Sequence, residues 1–280
     1  MACENSPFSV VRSPIETPVL ISVSHAGRDY SAALGAASRL PMAALAQLED
    51  PLVDRLVERG IAAGACAVIA HAPRAEIDLN RAIEDLDPDM VFPPSRGSAP
   101  ISRRASSGLG LIPARLAGHG AIWWGPLPAA EVARRIAEVH RPYHEAIAGE
   151  LRRLRSVFGI AILLDCHSMP RSGASAVVLG DRHATSAATT FVDAVEAVWT
   201  THGFETSRNH PYAGGEIVAR HGCPRKGIHA LQLEIERSLY LAPDMRCAGP
   251  GFDRVAGIVA SAVEALAQAA AAWTLPLAAE

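Results

Sequence analysis

The sequence predicts an α/β fold, with a single domain and a mostly parallel central sheet flanked by helices. Short apolar, β-branched runs alternate along the chain with longer stretches of helical periodicity, as expected for βαβ units. Hydrophobic residues make up 49% of the 280 residues, which is enough to bury a large core. Because no internal repeat or linker divides the chain, we expect one domain over residues 1–280, with its core over about 19–273.

The predicted strands are short apolar runs that end at turn residues. They cover residues 18–24, 65–70, 160–167, 174–179 and 230–235. Leucines at helical spacing predict a helix over 42–60, and amphipathic patterns predict further helices over 129–158, 189–202 and 254–273. Residues 88–113 are rich in Pro, Ser, Gly and Arg and show no clear period, which predicts a long surface excursion of the kind that often forms a functional lid.

The charge and composition exclude several classes of protein. The formal net charge of -3 gives no basic surface for nucleic acid, so we expect no nucleic-acid partner. The five cysteines form no CxxC pair, which favours reduced thiols in the cytoplasm over a disulfide framework. The first residues lack the pattern of a signal peptide, and charges interrupt the apolar runs, so we expect no membrane segment. The oligomeric state cannot be predicted from the sequence.

Polar side chains fall at or near the ends of several predicted strands. His25 follows the first strand, and His167 ends another strand two residues after Asp165. Asn80 and Arg81 come after the strand over 65–70, and Glu234 lies within the last strand. Because ligands of open α/β sheets bind outside the carboxyl ends of the strands, we expect these side chains to share one site.

This set of residue types suits a catalytic metal. Two neutral imidazoles and one carboxylate hold a catalytic zinc ion, a further carboxylate can relay a proton, and an arginine can bind a substrate carboxylate. Spacing alone leaves the question open, since Arg28 stands where a His-x-x-Glu motif would place its acid. A dyad of Cys166 with His167 is disfavoured, because adjacent strand residues point to opposite faces.

Seven ordered segments resemble the N-formylglutamate amidohydrolase family, which belongs to the zinc-carboxypeptidase and aspartoacylase-like group. The resemblance extends over about 19–240, and the segments are 24–28 (SHAGR), 49–56 (EDPLVDRL), 78–81 (DLNR), 164–168 (LDCHS), 180–186 (GDRHATS), 211–222 with its PYAGG and ARHG motifs, and 231–235 (LQLEI). It implies a zinc-carboxypeptidase-like α/β fold and metal-dependent amide hydrolysis. Ser24 and Ala26 replace the commoner Pro and Ser of the first segment, and the excursion over 88–113, with Arg96, Arg103 and Arg104, has no counterpart in the resemblance.

The resemblance also implies a role for individual residues. It implies His25, His167 and Asp54 as ligands of Zn2+ or another divalent metal. Asp50 is the reserve ligand, because a residue four positions from Asp54 shares its face of a continuous helix. It further implies Glu234 as general base and acid, with Glu236 in reserve. The residues implied for binding the substrate are Asn80, Arg81, Arg220 and His221, with Arg81 also polarising the reacting carbonyl.

The expected reaction is hydrolysis of N-formyl-L-glutamate to formate and glutamate, a step of amino-acid catabolism in histidine degradation. The partner is then a small N-acyl amino acid. Hydrolysis of another N-acyl amino acid, or a small carboxypeptidase activity, would use the same mechanism with a different pocket. A non-catalytic protein that binds an acidic amino acid on the same fold is the third hypothesis, and the general-base candidate Glu234 argues against it.

Overall fold

The computed structural model describes residues 6–93, 102–171 and 175–274. Contacts divide the chain into two compact units. The first unit comprises the described residues of 1–9, 24–49 and 69–145, and the second those of 10–23, 50–68 and 146–280. The expectation of a single domain stays a prediction.

The described residues contain short strands and helices in alternation. The strands are β1 (Phe8–Val11), β2 (Val19–Val23), β3 (Cys66–Ala70), β4 (Val91–Phe92), β5 (Arg115–Leu116), β6 (Gly120–Ala121), β7 (Leu127–Pro128), β8 (Ala161–Met169), β9 (Val177–Gly180), β10 (Thr206–Arg208) and β11 (Ile228–Glu236). The helices are α1 (Ala32–Ala37), α2 (Met42–Leu45), α3 (Val53–Leu56), α4 (Glu58–Ala62), α5 (Arg103–Ser106), α6 (Ala129–Arg135), α7 (Arg141–Phe158), α8 (Thr189–Thr201), α9 (Glu216–His221) and α10 (Phe252–Thr274). Residues 94–101, including Arg96, and Ala174 lie outside the described residues.

Seven of the strands form one sheet in the order β1-β3-β2-β8-β11-β9-β10. β8 pairs in parallel with β2 on one side and with β11 on the other, and β9 pairs in parallel with β10. β11 and β9 run antiparallel, so the sheet is mixed. Every residue of β2 and β8 is buried, as expected for strands that are covered on both faces. The predicted α/β fold with a mostly parallel sheet is confirmed.

The predicted helix over 42–60 is wrong as a continuous element. It breaks into α2, a 3-10 turn over 46–48, a loop over 49–52, and then α3 and α4. Pro51 explains the break, because proline lacks a backbone N–H and disfavours helical geometry at the residue before it. The chain re-enters a helix through Leu52, whose backbone is left-handed with a φ of 60°.

The predicted helix over 129–158 is present, but it contains a π-helical turn over Ile136–His140 between α6 and α7. The backbone N–H of Arg141 donates to the carbonyl of Ile136, one residue further back than in an α-helix. Pro142 follows directly and has no N–H to continue the regular hydrogen-bond pattern. The turn therefore sits where the proline interrupts the α-helical ladder.

The C-terminal helix α10 packs against α4 and α8 in the second unit. Gly60 of α4 allows this approach, since a Cβ there would lie 3.1 Å from Cγ2 of Val263 and 3.3 Å from Cδ1 of Ile21. By length and composition alone, the stretch Phe252–Trp273 is long and apolar enough to cross a membrane. Core helices of soluble proteins share these properties, and 44% of an 18-residue apolar part of this stretch is buried within the protein, so the expectation of no membrane segment stays a prediction.

His229 of β11 is buried and lies against two aromatic rings. Its ring centroid is 4.6 Å from that of Phe191 and 5.5 Å from that of Trp273. Its Nδ1 accepts a hydrogen bond of 3.1 Å from the backbone N–H of Ala188, at the start of α8. Burial lowers the pKa of His229 to about 4, because an imidazolium there would lose its hydration. This histidine therefore caps and packs as an uncharged group.

Candidate active site

The centre of the second unit carries four polar side chains on one face of the sheet. In the parallel pairing of β8 with β11, Asp165 lies opposite Gln232 and His167 lies opposite Glu234. Side chains two residues apart on a strand point the same way, so all four share a face. All four are buried, although the strands around them are otherwise apolar. Such a cluster in a core needs internal partners to offset its desolvation.

His167 lies between two carboxylates. Its Nε2 is 2.8 Å from Oδ2 of Asp165, and its Nδ1 is 3.1 Å from Oδ2 of Asp50. Burial alone would lower the pKa of His167, but the negative charges of Asp165, Asp50 and Glu234 outweigh burial and raise it well above the usual range. The cluster therefore has a negative potential that a cation would offset.

Asp50 is held by both of its oxygens. Oδ2 faces His167, and Oδ1 accepts a hydrogen bond of 3.0 Å from Nη2 of Arg237. The Nε of Arg237 also donates to Oγ of Ser168, which follows His167 in β8. Arg237 was missed by the sequence analysis: it lies in the turn just after β11, outside the segments that carry the resemblance.

The structure brings Asp50, and not Asp54, to His167. The resemblance implied Asp54, with Asp50 in reserve on the premise that both lie on one helix face, and that premise is wrong because the helix breaks between them. Asp50 lies in the loop before Pro51, while Asp54 lies in the first turn of α3, beyond the left-handed Leu52. The loop is also held by the segment after β11, since the hydroxyl of Tyr240 donates to the carbonyl of Pro51 at 2.7 Å.

Glu234 is oriented by a short relay of hydrogen bonds. Its Oε1 accepts 2.8 Å from Nε2 of Gln232, whose Oε1 accepts 2.9 Å from the backbone N–H of Gly215. The reserve residue Glu236 has different surroundings: it is half-buried at the end of β11, accepts from the hydroxyl of Ser238, and lines a separate surface cleft. The structure therefore favours Glu234 as the buried carboxylate of this site.

The two predicted residues of α9 differ in their surroundings. The side chain of Arg220 is 41% exposed and lies 4.0 Å from Glu216 on the same helix. His221 is buried, and its pKa is lowered to about 4 by burial and by the charge of Arg220, with an opposing effect from Asp165. His221 is thus within electrostatic reach of the cluster around His167, whereas Arg220 lies at the surface.

In the first unit, His25 is held by Asp78. Nε2 of His25 donates to Oδ1 of Asp78 at 2.7 Å, and Arg74 binds the other carboxylate oxygen at 2.9 Å. Burial raises the pKa of Asp78, but the charges of Arg74 and Arg81 and the contact with His25 outweigh burial and hold it well below the usual range. Asp78 is therefore a permanently charged acceptor that fixes the ring of His25, leaving Nδ1 as the nitrogen that faces away from this carboxylate.

Arg81 is buried beside this pair. Its Nε donates 3.0 Å to the carbonyl of Leu109, and its Nη1 donates 3.0 Å to the carbonyl of Asn80. Burial lowers its pKa, because a guanidinium loses hydration there. Within the described part of the chain, Nη2 of Arg81 has no hydrogen-bond partner. A pre-oriented arginine with donors to spare can bind a carboxylate in a planar geometry.

A mixed α/β sheet whose central strands carry buried histidine and carboxylate groups defines an α/β enzyme with a histidine–carboxylate site. Comparisons with known proteins give the particular family. The sequence profile of the N-formylglutamate amidohydrolase family matches residues 17–241. The chain belongs to this family, and the resemblance found in the sequence is confirmed.

The similar proteins share most of their length with the chain. The N-formylglutamate deformylases of Pseudomonas aeruginosa and Pseudomonas putida are each 32% identical to it over 80% of this chain and 82% of their own. The crystal structure of an N-formylglutamate amidohydrolase from Ralstonia eutropha superposes with a TM-score of 0.90 at 28% identity, over 96% of this chain and 100% of the other. The family relationship therefore extends over the whole fold.

Proposed function

We propose that the protein hydrolyses N-formyl-L-glutamate to formate and L-glutamate with the help of a divalent metal, for which zinc is the best fit. The observation that carries the proposal is that two buried histidines each have their Nε2 on an aspartate: His25 on Asp78 and His167 on Asp165. A carboxylate on the far nitrogen is the arrangement that orients a metal-binding histidine and raises its basicity. The proposed substrate is the one for which the similar proteins are named.

The donor types fit a divalent metal. His25, Asp50 and His167 are each buried, and imidazole and carboxylate are donors that can hold such an ion. In each histidine Nε2 faces an aspartate, so Nδ1 is the nitrogen that would bind the metal. Histidine with carboxylate suits zinc, and nickel, cobalt and iron accept the same ligands. When bound, the metal would lower the pKa of a water molecule and polarise the amide carbonyl.

The chain itself connects the two histidines. β2 pairs in parallel with β8, and Ser22 lies opposite Asp165 in that pairing. His25 follows three residues after Ser22, and His167 follows two residues after Asp165, so both come just beyond this matched pair. Continuity along β2 and β8 therefore supports placing His25 and His167 at the same carboxyl edge of the sheet.

The other residues of the site have separate roles in amide hydrolysis. Arg81 and Asn80 bind the substrate's carboxylate, and Arg81 steadies the developing charge on the formyl oxygen. Glu234 takes a proton from the attacking water molecule while the water oxygen forms its bond to the formyl carbon. Glu234 then delivers that proton to the amide nitrogen as the C–N bond breaks, which releases formate and the amino group of glutamate. Gln232 holds the carboxylate of Glu234 in place for both transfers.

The reaction belongs in the cytoplasm, and the partner it requires is the small N-acyl amino acid alone. The described cysteines, Cys66, Cys166, Cys223 and Cys247, are all free thiols, which agrees with a reducing compartment.

The test is release of formate from N-formyl-L-glutamate by the purified protein, with and without a chelator. Glu234→Gln should lower kcat by about 10²–10⁴-fold while metal content is unchanged. The matched control is Glu236→Gln on the same strand, which should stay within about threefold of the wild type, since Glu236 lies outside the buried cluster.

Three outcomes would count against the proposal. No formate release by the zinc-loaded protein would contradict the substrate. Faster turnover of another N-acyl amino acid, or of a peptide, would move the activity to those alternatives. Stabilisation by glutamate without turnover of any of these compounds would identify a binding protein.

A further inference from the structure

The segment Asp78–Arg81 is held by two histidines from the long helical element over 129–158. Nε2 of His140 donates to the carbonyl of Arg81 at 2.9 Å, and Nε2 of His144 donates to the carbonyl of Leu79 at 3.0 Å. Both side chains are buried, with 0% and 1% exposure. Hydrogen bonds to main-chain carbonyls set the position of a backbone, not only of a side chain.

The two histidines act from neighbouring positions. Their ring centroids are 4.4 Å apart with an interplanar angle of 42°, so the rings support each other. His140 ends the π-helical turn over Ile136–His140, and His144 lies in the first turns of α7. Single π-helical turns within α-helices are frequent at functional sites. Here the turn sets the direction in which His140 leaves the helix relative to His144.

The segment forms no strand or helix, so no ladder of main-chain hydrogen bonds fixes its backbone. The backbone N–H of Asp78 donates to the carbonyl of Leu111 at 2.8 Å, and the backbone N–H of Arg81 donates to the carbonyl of Asp78 at 3.2 Å. The carboxylate of Asp78 also accepts from the backbone N–H of Asn80, which ties the segment to itself. The two histidines therefore supply specific external donors to its carbonyls at positions 79 and 81.

We propose that His140 and His144 are positioning residues for the site: they fix the backbone from which Asp78 holds His25 and from which Asn80 and Arg81 reach the substrate. The inference rests on the proposed function for the roles of Asn80 and Arg81. A role in packing alone would need only two apolar side chains of similar size. A role in positioning needs the Nε2–H donor at each place, since a buried carbonyl that loses its donor shifts towards another partner.

The experiment compares His140→Leu and His144→Leu, which remove the donor, with His140→Gln and His144→Gln, which keep an N–H at a similar reach. His202→Leu is the matched control, because His202 is exposed at the end of α8 and its Nδ1 donates to the carbonyl of Val198 in the same helix. Steady-state kinetics with N-formyl-L-glutamate and hydrogen–deuterium exchange of the peptide over 74–86 are measured on all five variants.

In the leucine variants we expect KM to rise at least about tenfold, kcat to fall as well because Arg81 also steadies the developing charge, and amide exchange to accelerate within 78–82. The glutamine variants should return KM to within about threefold of the wild type, and the control should match the wild type in both measurements. A lower melting temperature with unchanged KM and unchanged exchange at 78–82 would show packing alone and overturn the inference.

The two proposals fail in different ways. If the wild-type protein releases no formate, the proposed function fails. Hydrogen–deuterium exchange alone then tests whether His140 and His144 position the segment. Acceleration confined to 78–82 in the leucine variants would support positioning. Exchange unchanged there, or raised uniformly along the chain, would overturn it. Because the glutamine variants retain the donor, they keep the test decisive if a leucine variant does not fold.

Discussion

Replacing Asp50 with asparagine should greatly weaken metal binding, while the same change at Asp54 should leave it intact. Both oxygens of Asp50 are engaged, 3.1 Å from Nδ1 of His167 and 3.0 Å from Nη2 of Arg237. Loss of a residue that only supports a metal ligand costs about 10–100-fold in affinity. Loss of a charged ligand should reach at least the upper end of that range, about 100-fold, which is about 2.7 kcal/mol.

Thermal unfolding with and without zinc measures the effect. At a free zinc concentration of about 100 times the wild-type Kd, binding stabilises the folded protein by about 2.7 kcal/mol. A 100-fold weaker site at the same concentration gives only about 0.4 kcal/mol. At about 2–4 °C per kcal/mol for a chain of this size, the zinc-dependent shift in Tm should fall from about 5–10 °C to about 1–2 °C in Asp50→Asn.

Asp54→Asn is the matched control, since it makes the same chemical change four residues away. It should keep the full zinc-dependent shift. A full shift in Asp50→Asn with a lost shift in Asp54→Asn would refute the reasoning from the broken helix and restore Asp54 as the ligand. Direct zinc analysis of both purified variants, after equilibration with a competing chelator, checks that the shift reports binding.

Three further predictions follow from contacts described above. Asp78→Asn should weaken zinc binding by about 10–100-fold through the histidine that it orients, and an unchanged chelator titration would contradict that role. Below pH 6.5 the unfolded chain protonates His229 before the folded protein does, so this histidine should lower the free energy of unfolding by up to about 3 kcal/mol between pH 6.5 and 4. His229→Asn keeps an acceptor for the N–H of Ala188 and should lose that part of the pH dependence in urea unfolding. If its free energy of unfolding falls with pH in parallel with the wild type, His229 is not the cause. Tyr240→Phe should cost about 1–3 kcal/mol in the same assay, because it leaves the carbonyl of Pro51 without its donor, and a cost near zero would show that water replaces the hydroxyl.

The order of the main elements could be predicted because buried strands and helices require recognisable patterns of apolar residues in the sequence. β2, β8 and the central part of β11 are rich in apolar residues and buried throughout, since both faces of the sheet are covered. The antiparallel direction of β9 against β11 could not be predicted, because strand direction depends on how the connection returns and not on composition. The polar residues at strand ends were found by position, and Glu234 is buried as expected for a functional carboxylate.

The partners of these residues were not predictable from local sequence. Asp50 and His167 are 117 residues apart, and Asp50 and Arg237 are 187 apart, so no spacing rule connects them. The leucine periodicity over 42–60 suggested one helix, on which Asp50 was only the reserve for the Asp54 that the resemblance implied. Pro51 was the sequence feature that could have corrected this, because it predicts a break directly after Asp50.

The pairing of β11 on both edges has a consequence for how the specificity of this enzyme can change. Glu234 stands on a strand that is hydrogen-bonded to β8 on one side and to β9 on the other, so its backbone can move only if the sheet opens. Asn80 and Arg81 stand on a segment without a ladder, anchored largely by side chains. Under the roles proposed for Asn80 and Arg81, a few substitutions around 78–81, or at the histidines that hold this segment, should change which acyl amino acid is accepted. Glu234, the proposed proton-transfer group, keeps its register throughout, so the substrate could change without an inactive intermediate.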